Sequence, residues 1–443
     1  MIRPNQFAES WISLLLSCFL IFGDASELQK VFNAGVIEHW LAAAALTIII
    51  GGIVFFFRTS ERKNRFQILQ QNFAVKIAGI IVIGLYTMIF LCPMIAPYDP
   101  DFQQDIIVTR YARPMQAITY LKLKPSGETI LPFRQGDGIV VHAVNRLIQA
   151  NHRLLNRNEP AIYVDQYRIE QPIVFYKQGL QNKQINLSEL ISSDESGFIG
   201  KRLYVLGSDR YGRDVLSRII YGSRISLIIG LLAVTIAVTL GVAVGAVAGY
   251  FGKFADAVLM RFVDLMLSFP NLFLVLLVMA LFGNSVFLII LVLGLTGWMG
   301  VSRLIRGQIL SLKENEFVLA AKAMGFSHTR IIFRHLVPNA MAPVIVAATL
   351  RLGGLILVEA GLSFLGLGVQ PPAASWGNII NEGRDTLIQA WWVATFPGLA
   401  IVVTVICFNV LGDGLRDVLD PRIATEAQKT QSHSRESGNP VSF

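Results

Sequence analysis

The sequence predicts an all-α polytopic membrane protein that carries a small α/β insertion outside the bilayer. Three observations predict it. Of 443 residues, 53% are hydrophobic and only 15% are charged, and the mean hydropathy is +0.54, a balance foreign to water-soluble chains of this size. Several apolar runs approach the roughly 20 residues that a helix needs to cross the hydrocarbon. Between two of them, residues 101–205 are rich in charge, Asn and Gln and hold no run long enough to cross. A formal charge of +8 could point to nucleic acid, but in a membrane chain surplus Lys and Arg mark cytoplasmic loops. No nucleic-acid partner is therefore expected, and the lipid bilayer is the first partner. Cys18, Cys92 and Cys407 lie in or beside apolar runs without metal-ligand spacing, so they read as packing residues, with no disulfide and no metal site.

Residues 1–65 form an N-terminal extension with one or two membrane segments. WISLLLSCFLIFG at 11–23 is short for a span, and reads either as a signal peptide or as a short membrane segment. Glu9 in its flank and the lack of a small-x-small cleavage pattern favour an uncleaved segment. HWLAAAALTIIIGGIVFFF at 39–57 is long enough to cross, and Arg58, Arg62, Lys63 and Arg65 place its far end in the cytoplasm. Residues 66–100 hold the first core helix, ended by the prolines of CPMIAPYDP. The extracytoplasmic insertion, 101–205, follows by alternation of spans. Within it, GIVVHAVNRLIQANHRLL has helical spacing at Val140, Val144, Leu147 and Leu154, while AIYVDQYRI and PIVFYK read as strands. His142 and His152 lack any partner motif and read as ordinary residues.

The membrane domain occupies 206–422. SDRYGRD places Asp209, Gly212, Arg213 and Asp214 in one turn. Arg210, Arg213, Arg218 and Arg224 run against the usual charge bias on this outer side, an exception that long translocated loops allow. In the next span Gly241, Gly245 and Gly249 recur every four residues and let another helix approach closely, from this chain or from a partner. FADAVLMRFVDLMLSFP, with Asp256, Arg261 and Asp264, reads as an inner-interface helix ahead of Pro270. Residues 270–283 and 286–305 then form a tight helical pair, and Arg303 and Arg306 return the chain inside. From 340 to 362 the chain crosses again with Arg351 and Glu359, charges that at such depth must face protein or water. Both are candidates for lining a translocation path, with an ion pair as the alternative; eight residues apart, they are too distant to bridge each other directly. A Gly- and Pro-broken segment follows, whose Trp376, Trp391 and Trp392 suit the outer interface and which could gate the outer mouth. The last span is near 395–412, and residues 423–443 read as a disordered cytoplasmic tail.

The polar break at 316–339, EFVLAAKAMGFSHTRIIFRHLVPN, lies between two apolar segments. Helix formers with small Ala320, Ala321 and Ala323 predict a thin helix from Glu316 to Met324, and Gly325 is the natural left-handed cap. Ser327 is placed to cap a second helix, which Pro338 should stop. A-A-x-x-x-G followed by H-x-V-P-N resembles the coupling loop of ABC importer permeases, in the branch that handles dipeptides and oligopeptides. LGSDRYGRDVLSRIIYGSR at 206–224, EAGLSFLGLG at 359–368 and LGDGLRDVLDPR at 411–422 resemble the same family. The likeness is close over 206–422 and weaker over 66–100. It departs at Leu319, where the family carries an acidic residue; Glu316, one turn away, could substitute.

The resemblance implies a type I importer core of six helices in a bacterial inner membrane. It implies that Glu316, Ala320, Ala321, Gly325 and Pro338 fit a groove on a cytoplasmic ATPase, with a homologous second permease, two ATP-binding subunits and an extracytoplasmic solute-binding protein as partners. The insertion is then a spacer, or a docking surface or plug for the binding protein. No G-x-x-x-x-G-K-[ST] loop and no gathered nucleophile, base and orienting group occur in the chain, so no cofactor and no catalytic residue is expected here and ATP is used by the partner. Nickel complexes and antibacterial peptides are rival cargoes. A proton-coupled secondary transporter is the further alternative, though Arg351 and Glu359 make a meagre relay and no inverted repeat is visible.

Overall fold

The computed structural model describes residues 72–124, 160–192 and 194–419. The N-terminal extension with both of its apolar runs, the helical spacing expected at 138–155 with His142 and His152, and the polar tail lie outside the described residues. Thirteen helices, two short 3-10 turns, one π-helical turn and six strands follow in order among them. Helix α1 (Phe73–Ile95) leads through the single turn α2 (Ile106–Thr109) to strands β1 (Gln116–Lys122), β2 (Ala161–Val164), β3 (Gln166–Glu170), β4 (Ile173–Gln178) and β5 (Gln181–Asn186). The turn α3 (Glu195–Phe198) and strand β6 (Ile199–Tyr204) close the insertion. The bundle continues with α4 (Val215–Phe251), α5 (Lys253–Leu267), α6 (Asn271–Phe282), α7 (Val286–Leu295), α8 (Trp298–Leu312), α9 (Glu316–Ala323), α10 (His328–Ile331), α11 (Val337–Phe364), α12 (Trp376–Gly383) and α13 (Trp392–Leu419).

Four stretches are long and apolar enough to span alone: Val215–Phe251, Val286–Leu312, His328–Phe364 and Trp392–Leu419. Helices α5 and α6 pass the same test as a pair bent by 74°, and Phe73–Ile89 adds a shorter apolar stretch. Pro270, just before α6, marks the bend, since a proline at the head of a helix forgoes only a bond that the first turn lacks anyway. Helix α4 is the axis of the bundle. Asp214 caps it by accepting from the Ser217 amide at 2.7 Å. At 37 residues it is about 55 Å long at 1.5 Å per residue, and α1, α7, α8 and α11 pack along it. The Gly241, Gly245 and Gly249 face seats α8 of the same chain: a Cβ at Gly245 would lie 2.3 Å from the Ser302 carbonyl oxygen, and one at Gly241 2.5 Å from Val301 Cβ.

The insertion is β-rich in its described part, as two three-stranded antiparallel sheets ordered β2-β1-β6 and β3-β4-β5. Leu121, Val174, Ile185, Leu190 and Phe198 form its main core. Arg202 fastens it to the bundle. Its guanidinium lies 3.8 Å from the Tyr98 ring centroid and 4.7 Å from that of Phe102, and donates to the Tyr163 hydroxyl at 2.9 Å. The Tyr98 amide in turn donates to Ser217 on α4 at 2.9 Å.

Two expectations are corrected. The chain does not stop at Pro338: helix runs unbroken from His328 to Phe364. A π turn over Ile332–Leu336, in which the Val337 amide bonds to the Ile332 carbonyl, widens the ladder immediately ahead of the proline, so its ring is accommodated in the first turn of α11. Trp376 and Trp392 are core rather than interfacial residues. Each indole N–H finds a backbone carbonyl at 3.0 Å, that of Ile219 and that of Ser208 respectively, which makes full burial affordable for the ring. Trp391 alone of the three is exposed.

Candidate functional site

The polar break folds as a knuckle on the ends of α4 and α8. Gly325 adopts φ +75°, and helix α9 closes in a Schellman cap: the Phe326 amide bonds to the Ala321 carbonyl at 3.2 Å and the Gly325 amide to that of Lys322 at 3.0 Å. Ser327 sits at the start of α10 in extended conformation, but its side chain makes no capping bond. Val318, Ala321, Ile331, Ile332 and Leu336 turn inward onto Ala246, Val301, Ile305 and Ile309. The Tyr250 hydroxyl at the end of α4 meets His328 Nδ1 at 2.8 Å. The knuckle is therefore seated on the glycine-packed α4–α8 pair and is well placed to move with it.

Of the residues expected at the contact, Glu316, Ala320, Gly325 and Pro338 are exposed, whereas Ala321 is buried in the seat. Leu319 faces outward, and with it Phe317, Met324 and Phe333. These three were missed because apolar residues on a short helix read as core. Phase gives no warning either: Phe317 and Met324 stand four and three residues from the buried Ala321, on the flank of the inward face. Lys322, Arg330 and Arg334 are also exposed around this apolar patch, and the Arg330 guanidinium lies over the Phe326 ring at 4.3 Å.

The opposite end of α4 is closed by charge. Asp209, Arg213 and Arg218 meet Glu382 of α12, with Arg213 Nε to Asp209 Oδ2 at 2.7 Å, Arg218 Nη1 to the same oxygen at 2.9 Å, and both arginines to Glu382 Oε2 at 2.5 Å. Their side chains are 0–3% exposed. Two cations and two anions cancel, which is why arginines could gather here against the charge bias. Nearby, burial pushes the Asp214 and Asp101 carboxyls above the ordinary carboxylate range, and the neighbouring Asp99 charge adds to the effect at Asp101.

Glu359 is fully buried and accepts from Ser226 Oγ of α4 at 3.0 Å and Ser363 Oγ at 2.8 Å. Ser375, the N-cap of α12, stands beside Ser363, 3.5 Å between hydroxyls, and the Trp376 amide donates to Ser226 at 3.3 Å. This carboxyl thus joins α4, α11 and the broken segment before α12. Arg351 is half-buried with its guanidinium against Gly297, at the break between α7 and α8. No cluster of three or more metal-ligating side chains occurs among the described residues.

Residues 241–425 match the family of binding-protein-dependent transport system inner membrane components, and residues 64–114 match the N-terminal transmembrane domain of oligopeptide transport permease C. The chain is 43% identical over 217 residues, 49% of its length and 71% of the relative's, to the dipeptide transport system permease protein DppC of Alkalihalophilus pseudofirmus. It is 45% identical over 219 residues, 49% of its length and 70% of the relative's, to the oligopeptide transport system permease protein OppC of Haemophilus influenzae. Among solved structures, the MetNI methionine ABC transporter in inward-facing conformation aligns at 18% identity and a TM-score of 0.38, over 46% of this chain and 96% of that one, a likeness too slight to carry weight.

Proposed function

The chain belongs to the family of binding-protein-dependent transport system inner membrane components, and from that premise we propose that it is the membrane-spanning subunit of an ATP-driven importer of dipeptides and oligopeptides. A homologous permease completes the pathway, a pair of ATP-binding subunits grips the knuckle at 316–339 from the cytoplasm, and a solute-binding protein delivers cargo on the side of the insertion. ATP enters the cycle only through the partner, by favouring one arrangement of the membrane helices over another.

The observation that carries this reading is the knuckle itself. Its inner face is packed onto α4 and α8 while Phe317, Leu319, Met324 and Phe333 remain outward on a basic surface. Exposed apolar side chains set among polar groups on a rigid support are what a docking partner covers. Glu316, Ala320, Gly325 and Pro338 are exposed on the same knuckle for that contact, and Ala321 packs beneath them. Glu359 acts at the other end, holding the broken segment ahead of α12 as part of an outer gate. The test is purification of the intact assembly followed by reconstitution in liposomes. The expected result is that an ATP-binding chain copurifies and that peptide uptake requires both ATP and the binding protein; copurification without an ATPase, or uptake driven by a proton gradient, contradicts the reading.

A further inference from the structure

Among the described residues, one cation deep in the bundle stands without a partner. Asp256 is bound by Arg306, Asp264 by Arg303 at 2.5 Å, Asp209 and Glu382 by Arg213 and Arg218, and Glu359 by serine hydroxyls. Arg351 has no hydrogen bond or ion pair among the described residues, and its Nε is buried without a partner. It lies thirteen residues from Pro338 and thirteen from Phe364 (338 to 351, 351 to 364) along an unbroken helix, so it sits about 20 Å from each, close to the middle of a hydrocarbon layer roughly 30 Å thick. A guanidinium at that depth is expensive against lipid and is kept only where it faces protein or a water-filled path.

The guanidinium packs against a glycine. A Cβ at Gly297 would stand 2.6 Å from Arg351 Nη2 and 2.8 Å from Ala237 Cβ, so the glycine lets the guanidinium lie close against the backbone there. Elsewhere on the same two helices, a Cβ added at Gly300 of α8 or at Gly354 of α11 would meet nothing within 4 Å. Resting on the peptide-import reading, we propose that Arg351 is the point in the membrane core where the free C-terminal carboxylate of a passing peptide is held. The planar fork of donors on a guanidinium matches a carboxylate in bidentate fashion. Peptides of any sequence share that group, so a single cation serves a mixed cargo.

The test uses the reconstituted assembly with its binding protein, and compares uptake of trialanine with uptake of trialanine C-terminal amide by wild type, Arg351→Gln and Arg351→Lys. Wild type is expected to prefer the free acid. Arg351→Gln should lower the acid-to-amide uptake ratio about tenfold, and Arg351→Lys, which keeps the charge, should retain most of the preference. Because the binding protein is common to all three, any change in the acid-to-amide ratio belongs to the permease. An unchanged ratio in Arg351→Gln overturns the proposal. So does an equal fall for both peptides with loss of the assembled complex, which would instead identify an ion pair with the second permease. Wild type that imports neither peptide would remove the peptide reading itself, and the carboxylate site with it.

Discussion

The two ends of helix α4 solve opposite problems. At the end near the insertion, four charges from α4, α12 and the preceding turn are buried and answer one another within the chain. At the other end the knuckle packs only its inner face, and its apolar outer face is left for something else. Among the described residues the first end is finished internally; on the proposed reading the second is completed by a partner. The difference teaches where force can enter. A buried ion cluster loses stability steeply when one member is displaced, so it serves as an anchor, whereas a capped, exposed hairpin on a rigid helix pair can be pushed without unfolding.

The ends can be broken separately. Glu382→Ala leaves Arg213 and Arg218 short of a counter-charge, and losing one partner of a buried pair costs about 3–5 kcal/mol; the thermal midpoint in detergent should fall clearly while ATPase association persists at low temperature. An unshifted midpoint would mean that the cluster is not an anchor. Gly245→Val drives a side chain against the Ser302 carbonyl, and overpacking of this kind costs about 1–3 kcal/mol. It should loosen α8 from α4 and lower both the midpoint and uptake, linking the two ends in one variant.

Gly325→Val is the mirror of the first experiment. A β-branched residue at φ +75° is strained by roughly 1–2 kcal/mol, yet the site is open and exposed, so the midpoint should barely move. Uptake should drop at least tenfold and ATPase copurification should weaken, because the cap sets the angle between α9 and α10. Normal uptake by this variant would count against the knuckle as the point of force. Smallest of all, Arg303→Ala removes a pair whose side chains are 52% and 48% exposed, and such pairs contribute about 0.2–1 kcal/mol. Its midpoint should stay within a degree or two of the parent.

Much of this contrast was legible in the sequence, and what was not shares a cause. The glycine cap at Gly325, the seven-residue turn at 208–214, the glycine face of α4 and strands β2 to β4 are encoded within a few residues, so periodicity and turn chemistry reach them. Glu382 lies 164 residues from Arg218, and no local pattern announces that they meet. The serines around Glu359 come from three separate segments for the same reason. Pro338 misled because the ordinary rule assumes an α-helical ladder, and a π turn changes the ladder. Trp376 and Trp392 misled because an interfacial preference cannot register a carbonyl waiting at 3.0 Å.

The most direct test of the account is the sidedness of the knuckle. Met324→Cys, exposed beside the Gly325 cap, should resist a membrane-impermeant thiol reagent in intact cells, react in inside-out vesicles, and be protected there when the ATP-binding subunits are present; the parent chain, whose Cys92 and Cys407 are buried, sets the background. Labelling of that cysteine from the outside of intact cells would put the knuckle beyond the reach of any cytoplasmic ATPase and contradict the account.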